Sequence, residues 1–187
     1  ARELADRLEK FVKGSASGIF NSLSNFDIKN PFTVFGIRDL EENLRPVAMY
    51  IVLDYIWHRV RRGEPRKRVL IVDEAWYLIK NKDSAAYLHN FAKRARKYKL
   101  GMTTITQDVE DFMATEEGKA IITNSSLQII LKQSTAAVDK ITKTFYLTGG
   151  EKHFLLSAGI GEGLFFAGQS HVGFQVIASD EEKRIIE

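Results

Sequence analysis

No cysteine occurs among the 187 residues, which removes disulfide scaffolds, thiolate metal sites and cysteine nucleophiles together. That composition is compatible with a reducing cytosol. Proline is scarce, with 3 residues, and the 27% of charged residues are mixed in sign, so neither a Pro-rich chain nor a disordered tail fits. Long hydrophobic runs are missing too. The most apolar stretch, Ala48 to Trp57, is ten residues long and carries Asp54, against the roughly 20 apolar residues of a membrane span. His58, His89, His153 and His171 are scattered without metal-ligand spacing, and no Ser/His/Asp grouping is readable; metallohydrolase and serine hydrolase readings have no support. No Met opens the chain, and Ala1 to Leu8 reads as the middle of an amphipathic helix, not as a signal peptide. The expectation is a piece of a longer polypeptide.

What is present is a balanced globular composition: 44% hydrophobic residues and 27 Lys+Arg against 24 Asp+Glu, a net charge of +3. At this length one core can form. Leu4, Leu8, Phe11 and Val12 fall on one helical face, stopped by Gly14 and the small polar run Ser15 to Gly18, after which a linker follows. Pro31 to Ile37, rich in β-branched and aromatic residues, predicts a strand ending at Arg38-Asp39. Pro46 suits the first turn of a helix that runs to about Arg62, before Gly63 and Pro65. Val69 to Val72 is an aliphatic strand bounded by charge. Ser84 is the expected cap of a helix that buries Leu88, Phe91, Ala92 and Ala95, with Gly101 at its end. Met102 to Gln107 and Leu127 to Leu131 predict strands, with a short helix near Glu117 to Thr123 between them. Helices follow around Ala136 to Leu147 and Glu151 to Ser157. Gly163 to Gly168, a turn at Gln169 to His171, and Val172 to Ile177 predict a hairpin, and Asp180 is the expected cap of a last helix.

Repeated strand–helix–strand units predict an α/β domain: a mostly parallel sheet flanked by helices, with a C-terminal β-hairpin. Its expected parts are a helix and linker over 1–30, the parallel core over 31–135, and helices with the hairpin over 136–187. All parallel strand C-termini then share one edge, where ligands bind.

Two features point at that edge. In Val69-Leu70-Ile71-Val72-Asp73-Glu74 an apolar strand ends in two carboxylates, the Walker B arrangement of P-loop ATPases. There Asp73 would hold Mg²⁺ through its water shell, and Glu74 would polarise the water that attacks a γ-phosphate. The blander alternative is a buried strand that needs polar residues where it leaves the core. Gln107 lies 34 residues after Asp73, at the end of the next strand, and its amide can both donate to phosphate and accept from water. It could equally bind a neighbouring loop.

Lys93-Arg94-Ala95-Arg96-Lys97-Tyr98-Lys99 is strongly basic. Guanidinium groups from one subunit can stabilise transition-state charge in a neighbour's site, while a solvated helix face explains the same run. Arg59, Arg61, Arg62, Arg66, Lys67 and Arg68 form a second basic run, open to nucleic acid, to acidic lipid or to solvent. No G-x-x-x-x-G-K-[ST] occurs, so this sequence does not supply the usual ATP cradle.

These residues resemble the type IV secretion and conjugation ATPases (VirB/TraC type) of the HerA/FtsK branch of RecA-like motors. The likeness runs from about Gly14 to Asp180. It rests on Phe32 to Leu40, on Arg68 to Trp76 with the aromatic that often follows Walker B, on Arg96-Lys97 with Thr104 to Gln107, and on Gly159 to Ala178. The resemblance implies ATP and Mg²⁺ as cofactors, Asp73 at the metal, Glu74 as catalytic glutamate, Gln107 as polar sensor, Lys97 among the nucleotide-binding residues, and Arg96, with Arg94 as competitor, acting across a subunit boundary. It implies self-association up to a hexamer, other type IV secretion components as partners, and a cytoplasmic location at the inner face of the cell membrane with peripheral membrane association. It also implies a missing P-loop strand between the Gln107 and Leu127 strands. The rival expectation is a DNA translocase or DNA-binding module of the HerA/FtsK type that uses the basic clusters.

Overall fold

The computed structural model describes residues 2–14, 17–23, 28, 30–64, 66–168 and 170–186. The chain divides into two compact units, Ala1–Gly36 and Ile37–Glu187. In the first, α1 (Arg2–Val12) is followed by a short α2 (Ser17–Phe20). Phe11 and Phe20 meet edge to face at 5.3 Å, and Asn21 Nδ2 donates to the Val12 carbonyl at 3.1 Å. Helix α2 stands where the end of the polar run and the start of the linker are expected; Ser15 and Ala16 of that run, and residues 24–27 and 29 of the linker, lie outside the described residues.

The strand expected over Pro31 to Ile37 does not form. Residues 33–37 are coil, and Phe32 and Val34 are exposed. A strand needs a ladder partner as well as propensity, and none of the described strands pairs with this segment.

In the second unit, α3 (Arg45–Arg62) begins with Pro at its first turn and buries Met49, Leu53, Trp57 and Val60. Strand β1 (Arg68–Val72) leads through a turn into α4 (Trp76–Ile79) and α5 (Lys82–Ala95). The cap of α5 is Asn81, not Ser84: Asn81 Oδ1 accepts from the N–H groups of Asp83 and Ser84 at 3.0 and 3.4 Å. Ser84 is instead buried, its hydroxyl donating to the Leu78 carbonyl at 2.5 Å. Helix α5 tightens into a 3-10 turn over Arg96–Tyr98 and stops at Lys99, at φ 55°. Gly101, the expected stop, already belongs to β2 (Leu100–Thr104).

Strands β1 and β2 are parallel, with Arg68 opposite Leu100 and Val72 opposite Thr104. Two short helices follow, α6 (Val109–Met113), which the sequence did not announce, and α7 (Glu116–Asn124). They meet so tightly that a Cβ on Gly118 would sit 2.0 Å from the Phe112 carbonyl oxygen. Leu78, Ile79, Ala85 and Leu88, each at most 1% exposed, pack with Phe112 and Ile121 in one core. Each buried Leu or Ile contributes about 1.5–3 kcal/mol.

Strand β3 (Leu127–Leu131) leaves the parallel pair. It pairs antiparallel with β4 (Glu162–Ala167), which pairs with β5 (Ser170–Gln175), so a second sheet has the order β3-β4-β5. Between β3 and β4 run α8 (Val138–Phe145) and α9 (Gly149–Ser157); Ile141, Leu155 and Leu147 of the connection between them pack onto Ile130, Leu164 and Phe166. The α/β class and the terminal hairpin hold, whereas β3 joins the hairpin instead of the parallel strands. Gln169 of the expected turn lies outside the described residues, and Gly168 turns the chain at φ 62°. The final helix α10 (Asp180–Ile186) is capped by Ser179, one residue before the expected Asp180: Ser179 Oγ accepts from Glu182 N–H at 3.2 Å and Glu182 Oε2 accepts from Ser179 N–H at 2.8 Å.

Both sheets leave one apolar face uncovered among the described residues. Val69 (74% exposed) and Ile71 (62%) project from β1, and Leu127, Ile129 and Leu131 project from β3.

Candidate functional site

At the C-terminal end of the parallel pair the ladder outlasts the strands. Ile105 N–H donates to the Val72 carbonyl at 2.9 Å, and Ala75 N–H donates to the Ile105 carbonyl at 3.0 Å. Ala75 is completely buried. It pins the chain between Glu74 and Trp76, and Glu74 takes the left-handed conformation, at φ 49°. A non-glycine residue rarely adopts that conformation, which concentrates at functional positions.

The side chains converge there. Gln107 Nε2 donates to Glu74 Oε1 at 2.8 Å, and Trp76 Nε1 donates to Glu74 Oε2 at 2.5 Å. Asp73 is exposed, and its Oδ1 accepts from the Glu74 N–H at 2.9 Å. Gln107 lies beyond the end of β2 instead of closing it, since the strand stops at Thr104; the three further residues carry its amide across to Glu74. Asp108, the next residue, caps α6 by accepting from Glu110 and Asp111 N–H at 2.8 and 3.2 Å.

Arg94, Arg96 and Lys97 are not part of this cluster. Their helix runs back along the strands, so they lie ahead of Leu100, beside the opposite end of the pair, where Arg68 N–H donates to the Lys99 carbonyl at 3.1 Å. A five-residue strand, about 13 Å long, separates the two ends. Within one chain they cannot act on a group held at Glu74. All three are exposed. The second basic run reaches the same end, because Trp57 and Val60 of α3 pack on Phe91 and Ala95 of α5.

Sequence reasoning assigned no role to the support around Glu74. Trp76 stacks on Tyr77 with ring centroids 3.7 Å apart, and Lys80 Nζ lies 4.0 Å from the Trp76 ring centroid. Lys80 also faces Asp111 of α6 at 3.5 Å. The Tyr77 hydroxyl accepts from Arg45 at 3.0 Å, and the same guanidinium donates to the Arg38 and Leu40 carbonyls at 3.0 and 3.1 Å. The i to i+2 spacing of Glu74 and Trp76 was the available signal, but only the left-handed turn makes it a contact.

Two titratable groups elsewhere are shifted by the fold. Burial, with the Asp54 carboxylate 3.3 Å away, pushes the Tyr87 phenol well above its ordinary range. Burial also pushes Glu151 upward, but hydrogen bonds from Thr148 and the His171 ring, 2.6 Å away, outweigh it and hold the carboxyl below its ordinary value.

The fit to ATP and Mg²⁺ is divided. Mg²⁺ keeps most of its waters and takes one or two carboxylates together with phosphate oxygens. An exposed Asp73 suits that, and no cluster of three His, Cys, Asp or Glu is found among the described residues. The phosphate half does not fit. The glycine-rich turn at Gly159 and Gly161, ahead of β4, is closed by the chain's own carboxylate, as Gly159 N–H donates to Glu162 Oε2 at 2.7 Å.

A parallel strand pair that delivers two carboxylates and an amide to one edge, followed by an antiparallel hairpin, defines an α/β core of the P-loop NTPase class. The chain belongs to the TraG P-loop domain family, whose model matches residues 3–162. It is 32% identical over 117 residues to Protein TraC of Escherichia coli (strain K12), a match covering 59% of this chain and 13% of TraC. VirB4 of Thermoanaerobacter pseudethanolicus superposes with a TM-score of 0.89 at 28% identity, over 97% of this chain and 51% of that one. The chain thus spans about half the length of that VirB4 and a small part of TraC. B204, described as the DNA-packaging ATPase from Sulfolobus Turreted Icosahedral Virus, shares the fold at a TM-score of 0.57 and 16% identity. The expected kinship with the type IV secretion and conjugation ATPases of VirB/TraC type is borne out.

Proposed function

We propose that this chain forms the hydrolytic edge of an ATPase that energises type IV secretion or conjugative transfer. The Glu74–Gln107 contact beside Asp73 carries the reading. When bound with Mg²⁺, ATP supplies the phosphoryl group that water attacks. Asp73 is the carboxylate placed to meet the ion's water shell. Glu74 orients and polarises the water, and Gln107, bonded to Glu74 here, is the amide placed to exchange that bond for one to phosphate. The phosphate cradle must come from residues with a Walker A pattern, which this sequence lacks. Glu74→Gln in a polypeptide that carries this chain with a Walker A segment is expected to keep ATP binding and to lose about 10²–10⁴-fold in kcat. An unchanged kcat would remove Glu74 from the role.

The separation of Arg96 from its own Glu74 favours action in trans, in an oligomer where one copy's basic end meets the next copy's carboxylate end. Arg94 is its competitor and Lys97 a weaker, unforked neighbour. A hexameric ring and contact with other secretion components are the corresponding partner proposals. Residues 84–107 contain no Asp or Glu, and this favours a second use of the same end on DNA. DNA affinity that falls steeply between low and moderate salt, with DNA-stimulated turnover, would support a translocase. No helix among the described residues is long and apolar enough to cross a membrane; peripheral attachment at the cytoplasmic face is proposed, and cell fractionation that finds the protein free of membranes would oppose it.

A further inference from the structure

Trp76, the aromatic that follows the Asp73-Glu74 pair, is braced through its indole N–H and its ring. Its indole N–H holds Glu74 Oε2 at 2.5 Å. Its ring is sandwiched between the Tyr77 face at 3.7 Å and the Lys80 ammonium at 4.0 Å. Each brace is itself tied down, Lys80 by Asp111 of α6 and Tyr77 by Arg45. The indole therefore has little freedom, and a hydrogen bond to a charged acceptor is about twice as strong as a neutral one.

We infer that Trp76 is the positioning residue for Glu74: its N–H fixes one carboxylate oxygen permanently, so that release of Gln107 frees only the other, Oε1, to take the water. The inference rests on the proposed role of Glu74 and adds to it a division of labour between the two oxygens. A carboxylate held at one point only would rotate about its last bond, and Oε1 would be aimed a fraction of the time. With both oxygens held, as here, the glutamate is parked. Exchange of the Gln107 bond for a phosphate contact would then unpark it without reorienting it. The left-handed turn at Glu74 is what makes the arrangement possible, because it folds residues i and i+2 onto one side. Tyr77 extends the brace to the loop that carries Arg38 and Leu40, whose carbonyls share the Arg45 guanidinium.

The direct test is the side-chain N–H resonance of Trp76 in the 187-residue chain, assigned by Trp57→Phe, which leaves one indole. A bond to a carboxylate shifts that resonance downfield and protects the proton from exchange. Glu74→Ala should return it toward the free-indole position and remove the protection, while Gln107→Ala should leave it in place. An indole resonance that ignores Glu74→Ala overturns the inference. The functional arm uses a polypeptide that also carries a Walker A segment. Trp76→Phe should lower kcat by roughly ten- to a hundredfold, the cost of a misaimed group, with KM for ATP little changed; replacement by the isosteric benzothienylalanine, which packs like indole but has no N–H, should behave as Phe does. Full kcat in the benzothienyl protein shows that only packing mattered, and overturns the inference. If instead Glu74→Gln leaves turnover intact, the reading of Glu74 as catalyst fails, whatever the Trp76 resonance shows.

Discussion

The two ends of the β1–β2 pair are built from the same ten strand residues and have opposite character. At the C-terminal end, Asp73, Glu74 and Gln107 meet around a buried Ala75, and Trp76, Lys80 and Asp111 hold the arrangement in place. At the N-terminal end the strands receive the tails of α3 and α5, and Arg94, Arg96, Lys97 and Lys99 stand exposed. One end is braced by tertiary contacts and carries one left-handed residue; the other displays exposed cations at the end of a helix. The difference separates groups that must be aimed within a fraction of an ångström from groups whose target lies outside the chain.

Substitutions at the two ends should therefore differ in kind. The largest contrast is between Glu74→Gln, with its loss of about 10²–10⁴-fold in kcat, and Arg96→Ala, which should lower turnover only where copies assemble. Mixing the two impaired variants in an ATPase assay should restore part of the activity, since each supplies the end that the other lacks; no recovery would return Arg96 to the solvated face of its helix. Next in size is Gly118→Ala. The new Cβ would lie 2.0 Å from the Phe112 carbonyl oxygen, and forcing α6 from α7 should destabilise the fold by about 1–3 kcal/mol, read by chemical denaturation. Because α6 carries Asp111, the same change should disturb the Trp76 environment and spare the basic end.

Asn81→Ala removes the cap of α5, the helix that spans the two ends, and should cost about 1 kcal/mol. A loss well below that would mean the helix is held by its Leu88 and Phe91 face alone. The smallest effect belongs to neither end. Glu151, held below its ordinary value, binds protons less readily folded than unfolded. Its contribution to stability is complete above the unfolded carboxylate value and is lost as pH falls through the lower folded one. Glu151→Gln should flatten that part of the acid-unfolding profile without touching the carboxylate end of β1–β2.

Much of this was legible in the residues. The aliphatic run of β1, the helices α3, α5, α7 and α9, the hairpin, and Asp73, Glu74 and Gln107 as one group all follow from hydrophobic period, charge at a strand exit, and the parallel crossover. The differences share one cause: local preference does not by itself supply a ladder partner or a free set of amides to cap. Residues 33–37 have strand composition and no ladder. Ser84 is a good cap residue buried one turn too late, because Asn81 already holds the amides. Gly101 looks like a helix stop and is a strand residue, since Lys99 makes the left-handed turn.

Sequence alone settled which chemistry the chain can offer: two carboxylates and an amide on successive strand ends, cations on the helix between them, and neither thiol nor phosphate cradle. These follow from residue type and from spacing within one crossover, both of which are local. Only the folded chain decided that Glu74 is held by Trp76 as well as Gln107, that Arg96 stands a full strand length away, and that β3 sides with the hairpin. Those outcomes turn on one backbone angle, the direction of one helix and the choice of a ladder partner, and each is fixed by contacts between segments far apart in sequence.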